Sequence, residues 1–442
     1  MDRLEKYLKL HNLSEIYPSD IAKILKTFEN NEFLKALKIV PLDILGDIAL
    51  SLPDRYFSDI IENFSVTELS YAISQLESDD QTDFMQKFEI LNKLKAVKVF
   101  ETLNEVDKKE ISTLQRYHED EAGAYMQLEI FTAEKKEIVE NVIKRFARLR
   151  KENSLENVQN LFIVNEKNHL EYTIGLEDLL IFDFSKTLED NLNNNSDNFE
   201  PKFAKDKDSI KDVVHSFEAY DLSVMPIVNS KGILLGRITS DDIYDIIQDE
   251  ATEQMYNLAG VNDDAEDDNE ILNASKKRAI WLSLNLFTAI IASSVIGLFT
   301  DTLNNMVALA VLMPIVASMG GNAGTQSLTV VVRQLALGEI SQGDAMRIIT
   351  KEVTIALGNG LFFAIIMGVI ASIWFNIPML GVVIALSMLI NLFMAGFFGA
   401  IIPLLLKKID VDPAIGSTVI LTTVTDIVGF FSFLGLATYI LL

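Results

Sequence analysis

Hydrophobic and polar positions divide the chain into two textures. After residue 278, five stretches run almost without charge, over 279–299, 306–332, 353–375, 379–406 and 414–442. Each is long enough for the ~20 residues that cross a hydrocarbon core about 30 Å thick. Five in succession predict an all-α membrane domain. Before them, residues 1 to about 120 read as short helices in series, with Ile21, Ile24, Leu25 and Phe28 on one face. Pro18-Ser19-Asp20, Pro41-Leu42-Asp43 and Pro53-Asp54 signal helix starts. Similar segments at 52–61 and 77–85 predict a small superhelix of stacked helical hairpins, whose acids read mostly as ordinary caps and singly as poor ligand candidates. From about residue 155 the texture changes to alternating strand and helix. Strands at 160–164 and 172–174 flank a turn at 165–169, and a helix begins at 176. The pattern returns as a helix at 210–220, strands at 224–228 and 234–238, a turn at 229–232 and a helix from 240 to 250, with 193–198 as the loop between the two units. Such paired strand–turn–strand–helix units bury their faces against each other.

Charge follows the same division. With eight of the 38 Lys/Arg and seven of the 63 Asp/Glu lying after residue 275, the first 275 residues carry about −26 and the rest about +1. An acidic region of this size excludes nucleic acid as a partner, since phosphate contacts need a basic face. The absence of cysteine excludes disulfides, thiolate metal sites and Cys nucleophiles. The polar start of the chain is expected to hold no secretory signal. The eight late bases, Lys276, Lys277, Arg278, Arg333, Arg347, Lys351, Lys407 and Lys408, all fall on one side of the five stretches. The positive-inside rule then expects the amino terminus in the cytoplasm and Leu442 outside, and Trp281 and Trp374 fit an aromatic belt.

Asp426 interrupts the fifth stretch. A carboxylate at mid-span costs about 3 kcal/mol on insertion and faces the bundle interior or a water-filled path. Spacings of four and eight put Thr422 and Thr418 on its face of the helix, a column of oxygens leading to one negative charge. A protonated Asp bonded to a neighbouring helix is the structural alternative. The second stretch holds Gly320-Gly321-Asn322-Ala323-Gly324-Thr325-Gln326-Ser327 after Pro314. Carbonyls freed to line a cavity and close packing through small residues are both open there, with Asn322 the candidate ligand. Asn359 and Asn391 read as interhelical hydrogen bonds. A site of oxygens with one carboxylate per chain fits a hard cation, without separating Mg2+ from Ca2+, Mn2+ or Na+.

The segment Tyr220-Asp221-Leu222-Ser223-Val224-Met225-Pro226-Ile227-Val228, continued by Gly236-Arg237-Ile238-Thr239-Ser240-Asp241-Asp242, resembles a CBS domain. With the Gly-Gly-Asn-Ala-Gly-Thr-Gln-Ser span, Asp412-Pro413-Ala414 and Thr425-Asp426-Ile427-Val428-Gly429, the whole chain resembles the MgtE family of magnesium channels. Residues 117–123 are similar to the junction into that family's first CBS unit, and residues 249–253 to its connecting helix. The resemblance implies a multidomain fold: an all-α superhelical domain at 1–122, an α/β CBS pair at 123–248, a connecting (plug) helix and acidic linker at 249–275, and an all-α five-helix membrane domain at 276–442. It implies a homodimer in the cytoplasmic membrane, with hydrated Mg2+ held by Asp426, Thr422, Thr418 and Asn322. Regulatory Mg2+ is expected at Asp221, Asp242, Asp245, Glu250 and Glu253. Gln254, Ser209 and Lys211 stand where relatives carry acids. CBS pairs often bind adenine nucleotides through a Thr and an Asp three residues later, as at Thr239 and Asp242. The equivalent Gly175 and Asp178 lack the hydroxyl, so one ATP site at most is expected.

Two other functions stay open at this point. A divalent-cation carrier coupled to Na+ or H+ would need Asp426 to change protonation. A membrane-anchored CBS signalling protein would leave Asp426 unexplained. The four scattered histidines and the lack of any Walker, Ser-His-Asp or metallohydrolase pattern argue against an enzyme.

Overall fold

The computed structural model describes residues 2–10, 16–152, 155, 157–192, 196–261, 271–340, 343–409 and 411–442. The acidic run at 263–270 and residues 193–195 of the loop between the two repeats lie outside the described residues. The chain divides into two compact units, Met1–Gln248 and Asp249–Leu442.

Among its described residues, the first unit opens with eight helices: α1 (Asp2–Leu10), α2 (Pro18–Leu25), α3 (Asn30–Leu37), α4 (Leu45–Leu50), α5 (Asp54–Asn63), α6 (Val66–Ile73), α7 (Ser78–Thr102) and α8 (Glu105–Leu114). Pro18 is the first residue of α2, Pro41 leads through a 3-10 turn into α4, and Pro53 sits before α5. A capping box starts α6: the Glu68 N–H donates to Ser65 Oγ at 3.3 Å and the Ser65 N–H to Glu68 Oε2 at 2.7 Å. The apolar faces meet in one core, where Phe33, Phe57, Phe84 and Phe88 are buried and the Phe57 and Phe84 rings lie 4.7 Å apart.

The expectation of short helices fails at α7, which runs 25 residues with a break at Asn92 (φ −150°, ψ 78°). Beyond the break, Lys95 Nζ donates to the Ile61 and Phe64 carbonyls at the end of α5. That ties the second half of α7 back to the bundle although Ile90 and Leu94 face outward.

The two repeats follow with matching topology. The first contains β1 (Thr132–Ala133), α9 (Val139–Lys151), β2 (Asn160–Val164), β3 (Leu170–Gly175), α10 (Leu176–Leu179) and α11 (Leu188–Leu192). The second contains β4 (Ala204–Lys205), α12 (Ile210–Tyr220), β5 (Val224–Val228), β6 (Leu234–Thr239) and α13 (Ser240–Ala259). Each sheet has a short parallel strand beside an antiparallel hairpin, β1-β2-β3 and β4-β5-β6. Gly175 pairs with Asn160 as Thr239 pairs with Val224. Phe162, Val164, Val224, Val228 and Leu234 form an apolar seam between the sheets. The hairpin turns join across it, Leu170 N–H to the Gly232 carbonyl at 3.2 Å and Leu234 N–H to that of Asn168 at 3.0 Å.

The second unit begins in α13 and contains α14 (Ile271–Gly297), α15 (Thr300–Asn305), α16 (Val307–Ala336), α17 (Ala345–Phe375), α18 (Pro378–Lys408) and α19 (Ser417–Leu441). Among the described residues, five helices are long and apolar enough to cross a membrane, and α18 is the central one, packing against α16, α17 and α19. The third span starts earlier than its apolar run suggested, at Ala345, and so takes in Lys351 and Glu352. α14 packs on α19 and leaves Ile280, Leu286, Phe287 and Ile290 facing outward. Between the spans, small residues let backbones touch. A Cβ on Gly399 of α18 would meet the Gly324 carbonyl at 2.7 Å and Ser327 Cβ at 2.8 Å. Gly399→Val should therefore force α18 from α16 and destabilise the protein by about 1–3 kcal/mol, read as a lower thermal midpoint of the detergent-solubilised chain.

Candidate functional site

The turn before α19 sets the pathway candidate. The Ala414 N–H donates to Asp412 Oδ1 at 2.8 Å, Ser417 Oγ bonds the Pro413 carbonyl, and Gly416 turns at φ +67°. The helix then carries Thr418, Thr422 and Asp426 one turn apart. Thr422 Oγ1 donates to the Thr418 carbonyl at 3.0 Å, and Thr423 and Thr425 likewise bond the preceding turn. Their lone pairs stay unused by these bonds. Asp426 is half-buried, and its carboxylate makes no hydrogen bond or ion pair with a described residue, so no neighbouring helix donates to it.

Thr418 is already engaged: its hydroxyl donates to the Leu258 carbonyl, near the end of α13, at 2.8 Å. Leu258 packs among Leu328, Ile402, Ala414 and Leu421. Beside it, buried Asn257 reaches Glu253 Oε1 and Asp412 Oδ2, each at 3.5 Å.

The polar insertion of α16 splits into two faces. Gly320, Gly324 and Ser327 are buried against other helices, whereas Asn322 and Gln326 are exposed. Among the described residues, Asn322 Nδ2 reaches only Ser318 Oγ, at 3.4 Å, within its own helix. Small-residue packing and polar presentation thus occupy opposite sides of one helix. Asn391 makes the interhelical bond read from its type, Nδ2 to the Val316 carbonyl at 2.8 Å. Sequence reasoning missed Glu352, a buried carboxylate in α17 that accepts a hydrogen bond from Ser327 Oγ of α16. The basic residues around it disguised it as part of a loop.

The regulatory candidates are dispersed. Asp221 ends α12 in a left-handed turn (φ 51°) and is exposed, as are Asp245 and Glu253. Glu250 is half-buried on the same helix, α13. Asp242, at the start of α13, is held through Oδ2 by Thr239 Oγ1 at 2.7 Å, the Thr239 N–H at 3.2 Å and Gln127 Nε2 at 3.4 Å. The Thr239–Asp242 pair therefore satisfies itself.

What the structure adds around Asp242 is the start of α7. Glu77 makes no side-chain cap, contrary to the reading of these acids as ordinary caps. It lies with Asp79 and Asp80 in the electrostatic neighbourhood of Asp242. Ser78 anchors this end of the helix: its N–H and Oγ donate to Glu129 at 3.0 and 2.8 Å, and Oγ accepts the Leu128 N–H at 2.8 Å. Buried oxygens of Glu77, Asp79, Gln81 and Gln127 lack hydrogen-bond partners. Burial and then neighbouring acids push Glu77 and Asp80 up to about 7, offset at Glu77 by Arg237, and push Asp79 well above the carboxylate range. Burial, opposed by the Thr239 hydrogen bonds, brings Asp242 to about 6. Among the described residues, no three His, Asp or Glu side chains converge closely enough to hold a metal ion by themselves.

Comparison with known proteins places these features together. A model described as "Divalent cation transporter" matches residues 313–436, one for the "MgtE intracellular N domain" matches 16–120, and one for the CBS domain matches 198–249. The magnesium transporter MgtE of Enterococcus faecalis is 32% identical over 332 residues, 74% of this chain and 71% of that one. This chain belongs to the MgtE family of magnesium transporters. The MgtE proteins of Bacillus subtilis and Thermus thermophilus are 28% and 27% identical, over 96% and 97% of this chain and 92% and 94% of theirs. The helical domain, the CBS pair and the five membrane helices are the MgtE layout, and Mg2+ is the transported ion. These relatives are transporters, not enzymes.

The acidic contact in this MgtE chain has a direct pH consequence. Carboxyls whose folded pKa is raised stabilise the fold at low pH and lose that contribution as pH rises through the folded value. With Mg2+ chelated, the thermal midpoint should climb as pH falls from 8 to 6. Asp79→Asn with Asp80→Asn should flatten that slope, a result read by thermal unfolding across the pH series.

Proposed function

We propose that the chain works as a homodimeric, Mg2+-selective channel that takes magnesium into the cytoplasm and is closed by cytosolic Mg2+. The observation that carries this reading is Asp426: a half-buried carboxylate on a membrane-spanning helix, left unpartnered by the described residues, in line with Thr422 and Thr418. An intramembrane acid of this kind marks an ion path, and a hydrated divalent ion supplies the donors it lacks. Asn322, exposed on α16, is assigned to the same path, which a second copy of the chain would complete. The placement of all eight late bases on one side of the spans supports a cytoplasmic amino terminus and an outside carboxy terminus. The boundaries at 122/123, 248/249 and 275/276 belong to this reading, with residues 249–275 as plug and linker.

Closure is assigned to the end of α13, whose Leu258 carbonyl occupies the Thr418 hydroxyl. Sensing is assigned to Asp221, Asp242, Asp245, Glu250 and Glu253, joined by Glu77, Asp79 and Asp80. Divalent cations bridge these carboxylates and turn repulsion into attraction, and only this difference in affinity between open and closed forms shifts the balance. ATP enters the proposal through Thr239 and Asp242. A ribose accepted by Asp242 would displace the Thr239 hydroxyl and so bear on the sensing carboxylate.

Asp426→Asn should abolish most Mg2+ flux into vesicles under imposed voltage, without Na+ or proton gradients, while leaving a folded protein. Wild-type flux in that variant would sink the path assignment. Flux that needs a Na+ or proton gradient would favour the coupled carrier, and a complete lack of flux in wild type the anchored signalling protein. Replacing Asp245, Glu250 and Glu253 together by Asn or Gln should weaken inhibition by cytosolic Mg2+, and Gln254→Asp should strengthen it. An inhibition midpoint equal to wild type in both would place the sensor in the Glu77–Asp80 contact instead.

A further inference from the structure

The central helix α18 carries one amide at its middle, and this amide touches both helices of the assigned ion path. Asn391 is 1% exposed. Its Nδ2 donates to the Val316 carbonyl of α16 at 2.8 Å. Its Oδ1 is buried with no partner. On one side lies Gly320 of α16, where a Cβ would sit 2.7 Å from the amide carbon. On the other lies Gly429 of α19, where a Cβ would sit 2.8 Å from Nδ2. Gly320 precedes Asn322 by two residues, and Gly429 follows Asp426 by three.

We propose that Asn391 is a positioning residue for ion selection: it fixes the height of Asn322 on α16 relative to Asp426 on α19. The inference rests on the reading of Asp426 as the ion site. Stability does not account for an amide here. A buried oxygen without a donor is a net cost, which a leucine of similar bulk would avoid. What the amide supplies is direction. Apolar helix faces in a lipid-like interior slide past one another with little penalty, whereas a hydrogen bond to one carbonyl has a single length and angle. The two glycines close the amide in from both sides, so the bond to Val316 sets the register of α16 and the wall at Gly429 sets that of α19. A hydrated ion that must meet groups from both helices is sensitive to that register.

The test compares Asn391→Leu, Asn391→Ala and Gly429→Ala with wild type and with Asp426→Asn, as full-length protein in vesicles. Maximal Mg2+ flux and half-saturating Mg2+ are measured separately, with competition by Ca2+, Mn2+ and Co2+, and folding is read by thermal unfolding. Asn391→Leu is expected to be at least as stable as wild type. Its half-saturating Mg2+ should rise on the order of tenfold, the equivalent of one such hydrogen bond, and Ca2+ should compete more strongly. Gly429→Ala should shift affinity the same way, and once Asn391→Ala has removed the amide that the new methyl would meet, Gly429→Ala should add no further loss. If Asn391→Leu does not fold, Asn391→Ala is read by the same criteria. Wild-type affinity and competition in the folded Asn391 variant, or a double variant that loses affinity by the product of the two single effects, overturns the positioning role. That result alongside a dead Asp426→Asn leaves the ion site standing. Undiminished flux in Asp426→Asn removes both.

Discussion

The membrane bundle depends on one constraint: within an apolar interior, every backbone polar group must be satisfied inside its own helix, and each polar side chain must find a partner among its neighbours. Thr422, Thr423 and Thr425 of α19 obey it by bonding their own preceding turns, Asn391 by reaching the Val316 carbonyl, and Glu352 by taking the Ser327 hydroxyl. Hydrophobicity gives the helices no preference for one another over lipid. Contact therefore comes from backbones brought close at Gly399 against Gly324 and at Gly368 against Gly381, and from the Asn391 side chain seated between Gly320 and Gly429. Against this background Asp426 stands out as the acid that the described bundle leaves without a donor.

The soluble unit meets the opposite difficulty. It has water to solvate its charge, yet it buries part of an acidic surface at the contact between α7 and the second repeat. The cost falls on Glu77, Asp79, Asp80 and Asp242, whose protons bind more tightly there than in water. Ser78 and its bonds to Glu129 hold the helix end in this position. The contact is thus kept by neutral and hydrogen-bonding groups while its charges work against it, and its strength follows whatever neutralises them.

Much of this was legible in the residues themselves, because local rules carry far in regular elements. Long apolar runs located all five spans, and short apolar runs bounded by turns located β2 and β5 to the residue. The short strands β1 and β4 went unread, since two residues carry no period. The length of α7 was missed because its period breaks at Asn92 and resumes only through the tertiary bond of Lys95. Glu352 was hidden beside Arg347 and Lys351, where charge suggested a loop. Asp79 and Asp80 looked like caps because a sequence does not say what a helix start faces. The two roles of the Gly-Gly-Asn segment could be named but not apportioned, since which side of α16 meets α18 is a property of packing.

The bond between Thr418 and Leu258 has an electrostatic side. Leu258 lies in the last turn of α13, where carbonyls without intrahelical partners gather the negative end of the helix dipole. In the proposed path, the element that closes the mouth therefore turns its electronegative end toward the oxygens that greet a cation. Such a stopper does not repel the ion it blocks. A cation lodging at the mouth is attracted to it and holds it in place, so the occupant of the path becomes a contributor to its own arrest.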